Sequence, residues 1–232
     1  MTKRPARTAG EILAELEQDP QYIARMEELE RQRAKNRQTY LAAAAPMLME
    51  LAEAGFSVES LDDFVNSNLD YREAIPILLR WLPLIQDRYV RESIVRSLTI
   101  KAARPAAAPA LVQEFQREQP SEFRWVVGNA LSVVADDSVF DSIVELVRDK
   151  RHAKAREMLA PALANMKDPR AIDVLIELLG DEEVAGHALW AVRKLGKKAA
   201  RARPDIAPFL SHPKTWVRNE AKRALAKIDK AG

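Results

Sequence analysis

The chain has 232 residues, 47% apolar and 30% charged, with 7 glycines and no cysteine. That balance supports a continuous apolar core, and the lack of cysteine excludes thiol catalysis, disulfides and thiolate metal ligation while fitting a reducing compartment. The formal charge of +2 conceals an asymmetry. Residues 1–70 hold 8 Lys and Arg against 13 Asp and Glu, residues 71–192 hold 16 against 18, and residues 193–232 hold 12 against 3, a positive pole at the C-terminal end.

Lys3, Arg4 and Arg7 open the chain, but Glu11 and Glu15 stand where a secretory signal would need an apolar run. Thr8 with Glu11 forms a capping box and predicts a short helix over 11–17. Asp19 before Pro20 predicts a second helix over 20–54, kinked at Pro46 and stopped by Gly55. Between residues 23 and 40 this helix has few apolar side chains, and Glu27 and Arg31 stand at the supportive i, i+4 spacing. Tyr22, Met26, Leu29, Arg33, Asn36, Tyr40, Ala43 and Met47 follow a 4,3,4,3 spacing that permits a coiled-coil arm, although Arg33 and Asn36 would sit in its seam. The plainer alternative is a helix whose second half, 41–51, caps the C-terminal body of the chain. The apolar stretch 41–49 is too short for a membrane span, so a cytoplasmic protein with no membrane partner is expected. A small helix over 56–66, begun by Ser57 or Ser60, would turn Leu61, Phe64 and Val65 inward, and 67–70 reads as a linker.

From Tyr71 a self-similar pattern takes over. Nine-residue frames begin at Val90, Phe123, Ala155, Val184 and Val217, with starts 33, 32, 29 and 33 residues apart. The first, fifth, eighth and ninth places are small or apolar in all five copies, as in Val90, Ile94, Ser97 and Leu98. These places lie at i, i+4, i+7 and i+8, one face of an α-helix. The second place is Arg91, Arg124, Arg156, Ala185 and Arg218. Each framed helix is preceded by a predicted partner, over 71–82, 105–116, 138–147, 169–179 and 204–210, and the connectors are short and rich in Asp, Pro and Lys. Three partners carry a proline, Pro76, Pro109 and Pro208, each expected to bend its helix. A repeat of about this period predicts an α-solenoid.

A bent first helix, Val-Arg opening the second, Ala–Leu closing it and a period just over 30 together resemble HEAT repeats, in particular the short class found in phycobilin-lyase-like proteins. The resemblance covers residues 71–228 and implies an all-α, right-handed solenoid of about five helical hairpins. The organisation expected is a helical N-terminal extension and cap over 1–70, then repeats over 71–101, 105–135, 138–166, 168–196 and 200–228 within 71–232. Two copies depart from the pattern: the third has Ala155 and Pro161, the fourth Ala185 and Gly186. In HEAT repeats the recurrent arginine bonds a carbonyl or an acidic side chain of the adjoining repeat, and Asp87 and Asp181 suit that role. The alternative is a row of guanidiniums tracking a polyanion.

The third and seventh places of the frame point away from the apolar stripe: Glu92/Arg96, Trp125/Asn129, Glu157/Pro161, Gly186/Trp190 and Asn219/Arg223. The resemblance implies that second helices line a concave groove, which makes Trp125, Trp190, Asn129, Arg96, Asn219 and Arg223 its candidate partner-binding residues. Cover by neighbouring elements would be the structural alternative for the two tryptophans. Trp81 and Trp216 are assigned to core or inter-repeat packing. Arg193, Lys194, Lys197, Lys198, Arg201 and Arg203 form a candidate anion-binding cluster around the helix stop at Gly196. A polar end face that keeps a terminal repeat in solution is the alternative.

No catalytic residues are assigned. His152, His187 and His212 are dispersed, no phosphate-cradling loop or nucleophile elbow is present, and acidic pairs stand where helices begin. No cofactor or metal is expected. The function expected is a non-enzymatic scaffold or adaptor holding a protein partner. The alternative is a nucleic-acid-binding protein using the basic end, including a HEAT-like alkylpurine-DNA glycosylase, for which the column offers only Glu92 and Glu157 as acids; a bilin lyase shares only the fold.

Overall fold

The computed structural model describes residues 7–117 and 119–229; Lys3 and Arg4 of the opening charges and Lys230 of the positive pole lie outside them. The described residues form helices and turns with no strand among them. The chain divides into two compact units, Met1–Pro46 and Met47–Gly232. The second unit therefore begins before residue 71, where the repeats are expected to start.

In the first unit, helix α1 (Ala9–Leu16) is opened by the expected capping box: Thr8 Oγ1 accepts from the Glu11 N–H at 3.3 Å, and Glu11 accepts from the Thr8 N–H at 2.9 Å. Asp19 caps α2 (Pro20–Glu53) by accepting from the Gln21 N–H at 2.9 Å. Arg31 meets Glu28 at 3.0 Å and Glu27 only at 4.0 Å, so the i, i+3 pair is the closer one. Ile23 and Leu29 are exposed. The helix continues through Pro46. The helix ends in a turn in which Gly55 takes φ +92° and the Phe56 N–H reaches back to the Leu51 carbonyl at 2.8 Å.

The second unit opens with a correction. The helix expected over 56–66 is only α3 (Asp62–Asn66), because the N–H groups of Glu59 and Ser60 are tied in a turn to the Asp63 carboxylate. Leu61 and Phe64 are buried as expected, but Val65 is 49% exposed. Phe64 stacks on Tyr71 at 4.6 Å, and the Tyr71 hydroxyl donates to the Ser97 carbonyl, so this segment is built into the first repeat.

Five hairpins follow. The first helices are α4 (Ile75–Trp81), α6 (Ala107–Gln116), α8 (Phe140–Arg148), α10 (Arg170–Leu178) and α12 (Arg203–Ile206). The second helices are α5 (Arg88–Ser97), α7 (Ser121–Val134), α9 (Leu159–Leu163), α11 (Ala185–Leu195) and α13 (Thr215–Asp229). Consecutive second helices pack on one another from α5 to α13, a one-dimensional stack characteristic of a solenoid. Every stripe position is buried except Leu225, which is half-buried in the fifth repeat. The stripe is thus the core of the stack.

The prolines act differently from the bend expected within a helix. Pro76 and Pro208 stand at the start of a helical segment, where a missing N–H leaves no bond within that segment unmade, and at each the winding changes between 3₁₀ and α while the backbone stays helical. Pro109 lies in the first turn of α6. In the third repeat Pro161 cannot return an N–H to Glu157, and Lys150–Met158 is wound as 3₁₀ turns interrupted at Ala153, whose φ is +44°, leaving α9 five residues.

Candidate functional site

The recurrent arginines are structural. Arg156, 1% exposed, donates to the Val147 carbonyl at 3.1 Å, to Asp181 at 2.7 Å and to Glu183 at 2.6 Å, joining the third repeat to the fourth. Arg91 pairs with buried Glu114 of the second repeat. Arg124 ties the Phe115 and Arg117 carbonyls, both at 3.1 Å, and Arg218 ties those of His212 and Pro213, at 2.7 and 2.8 Å. The carbonyls belong to the first helix of the same repeat or the connector after it, not to the adjoining repeat. Asp181 takes the expected acidic role; Asp87 instead caps α5 by accepting from Tyr89 and Val90. Guanidiniums so committed do not form a row that tracks a polyanion.

Along the second helices run three open pockets that share residues. The first, about 450 Å³, is lined by Trp125, Asn129, Phe64, Val65, Tyr71, Ile100 and Arg96. The second, about 400 Å³, shares Asn129 and adds Pro161, Gly186, His187, Trp190, Trp216 and Glu220. The third, about 440 Å³, shares Trp190 and adds Arg193, Lys194, Arg223 and Lys227. Asn129 borders the first and second and Trp190 the second and third, so the pockets adjoin in one row, a segmented groove along the second helices. Trp125 is 39% exposed on its wall and Trp190 is half-buried, with the Lys194 ammonium 5.6 Å from its ring centroid.

The sequence assigns Trp216 to core or inter-repeat packing; it is not core, but it does lie across Gly186 of the preceding repeat, where a Cβ would fall 1.9 Å from the indole. Yet Trp216 is 48% exposed and walls the groove as well. The sequence signal for this close approach is Gly186 itself, a poor helix former placed within the frame. Phe64, Val65 and Tyr71 are groove residues that the repeat pattern misses, since they precede the frames that define the column.

Electrostatics differ along the groove. At its α5 end Arg96 is held by Glu92 at 2.5 Å, leaving that end formally neutral. At its α13 end Glu220 pairs with both Arg193 and Arg223, each at 2.8 Å, and Lys194 and Lys227 line the same pocket as those two arginines. Lys194 donates to Asn165, and burial first, then the charges of Arg104 and Lys101, lower its pKa. The rest of the basic cluster lies elsewhere. Arg201 pairs with Asp173 at 2.7 Å, Arg203 with Asp229 at 3.0 Å, and Lys197 and Lys198 are exposed in the 3₁₀ run Gly196–Ala202. Asn219 is exposed on α13 but does not line these pockets.

The histidines do not converge. His152 contacts Asp149 and Phe115, His187 lies edge-on to Trp216, and His212 stacks on Phe209. Burial lowers the pKa of His152 and His187, favouring uncharged rings. Among the described residues no three His, Asp or Glu side chains are grouped to hold a metal ion, and no helix is long and apolar enough to cross a membrane.

Comparison with known families finds that residues 108–186 match the model for HEAT repeats. The matched span runs from the start of α6 into α11 and so takes in the irregular third repeat. It supports the resemblance to HEAT repeats carried by the bent first helices, the Val-Arg and Ala–Leu places and the period. No curated protein matches the chain.

Proposed function

We propose that this protein is a non-enzymatic interaction scaffold, of the short, phycobilin-lyase-like class of HEAT repeat, which holds a protein partner in the groove along its second helices. The observation that supports this reading is the placement of Trp125, Trp190 and Trp216 on adjoining open pockets in one row along the second helices. Indole rings are costly to leave in water and are enriched at the energetic centres of protein interfaces. HEAT repeats generally mediate protein–protein contact, and the lack of cysteine agrees with a cytoplasmic setting. The double variant Trp125→Ala/Trp190→Ala tests it. Its melting temperature should fall only slightly, because Trp125 is exposed and Trp190 half-buried, while capture of the main native partner should be lost. A large loss of stability would make both rings structural and remove the basis of the proposal.

A second reading, nucleic-acid binding, is favoured by one observation: Lys194, Arg223 and Lys227 stand beside Trp190 inside the groove rather than on the outer end alone. Fluorescence anisotropy with a labelled duplex and a labelled single strand at rising salt tests it. Absence of binding at low salt removes this reading, including its glycosylase form, for which Glu92 is already engaged by Arg96.

A further inference from the structure

The groove has a direction. Its α5 end is walled by Trp125, Phe64, Val65, Tyr71 and Ile100 and carries one arginine, already neutralised by Glu92. Its α13 end sets Arg193, Lys194, Arg223 and Lys227 against a single acid, Glu220, a formal excess of three positive charges beside the Trp190 ring. Between them the Trp190–Trp216 pocket adjoins both, sharing Asn129 with one and Trp190 with the other.

We propose that the groove accepts a linear acidic peptide in one orientation, with large apolar side chains seated against Trp125 and carboxylates reaching Lys194, Arg223 and Lys227. This deepens the scaffold reading and rests on it. A peptide can carry its charge at one end and its apolar side chains at the other, matching the groove along its length. A nucleic-acid strand carries a phosphate at every nucleotide, and over the Trp125 end those phosphates would meet apolar side chains and an arginine already paired. Charge complementarity at one end fixes direction and register, while the aromatic walls supply contact area.

Selection of short random peptides, displayed on phage, against the immobilised full-length chain tests this. The enriched peptides should combine aromatic or large aliphatic residues with a run of Asp and Glu on one side, and their affinity should fall as salt rises. The variant Lys194→Glu/Arg223→Glu should bind those peptides about tenfold or more weakly and, in a fresh selection, should lose the acidic preference. Lys227→Glu alone should weaken them in the same sense, and it carries the test if the double variant does not fold.

Enriched peptides without net negative charge would overturn the proposal, as would unchanged binding on charge reversal or tighter binding of oligothymidylate than of any selected peptide. Failure of the two readings is separable. If Trp125→Ala/Trp190→Ala abolishes peptide binding while charge reversal leaves it intact, the acidic-peptide inference falls and the groove stands as a protein-binding site. If no peptide is enriched on the wild-type chain and the tryptophan variant still captures the native partner, both fall.

Discussion

At Arg156 the frame, the buried charge and the link between repeats meet in one side chain. The guanidinium is 1% exposed and is satisfied by the Ala153 and Val147 carbonyls and two carboxylates, so its desolvation is offset by four hydrogen bonds. The Arg156 hydrogen bond is the largest reason that the Asp181 carboxyl is held below its ordinary pKa. A lowered folded pKa means that the unfolded chain takes up the proton first. The contribution of this pair is therefore full above the ordinary aspartate pKa of 3.8 and is lost as pH falls through the lower folded value. Denaturant melts of wild type and Asp181→Asn should show the variant less stable at neutral pH, with the gap closing below about pH 4. A gap of constant size would mean that Asp181 is not the titrating partner. Gly186 makes a second residue-scale test. Ala at 186 must displace the Trp216 indole, but that ring is exposed and can swing outward, so stability should change by only about 1 kcal/mol while the Trp216 indole N–H resonance moves. An unmoved resonance would refute the close contact.

For the helices, the repeated stripe makes the simplest claim. Leu131 and Leu163 occupy the same ninth place in α7 and α9, and both are fully buried. Truncation of either to Ala should cost about 2–5 kcal/mol, the transfer and cavity cost of a buried leucine. Thermal melts within a degree or two of wild type for both would show the repeat alignment to be wrong. Leu163 is the sharper case, because α9 is only five residues long and follows a 3₁₀ run. The place in the frame was legible there even though the helix expected around it was not. Sequence periodicity records which side chains face the core, whereas Pro161 decides locally how the backbone brings them there. The recurrent arginines show the same division. Their spacing announced a repeated role; which carbonyl or carboxylate each meets depended on connector geometry that differs from repeat to repeat.

Across the whole molecule, the two units make different demands. Ile23 and Leu29 in the first unit are exposed, whereas Met47, Leu51, Leu61 and Phe64 in the second are buried. The Ser97 hydroxyl donates to the Leu61 carbonyl, and the Trp81 indole donates to Glu50 at 2.8 Å. Removal of residues 1–38 should therefore leave a folded, soluble repeat array, while removal of 1–66 should bare the first repeat and cause aggregation. Circular dichroism and gel filtration of the two truncations check this; equal loss of solubility in both would show that the first 38 residues are as necessary as the next 28.

The all-helical class, the period of the repeats and the face each framed segment turns inward were determined by sequence alone, because burial of a 3.6-residue stripe is a local demand that every copy must meet. The groove was half legible. Trp125 and Trp190 could be placed on the outward column by spacing, and the positive pole could be counted. Tertiary structure alone decided that Trp216 shares the groove, that Phe64, Val65 and Tyr71 wall its far end, and that Arg193 and Lys194 enter it while Arg201 and Arg203 are spent on ion pairs elsewhere. The physical reason is that a groove wall is made between elements. Which charges stay available there depends on carboxylates such as Glu220, Asp173 and Asp229, whose distance from their partners along the chain carries no periodic signal.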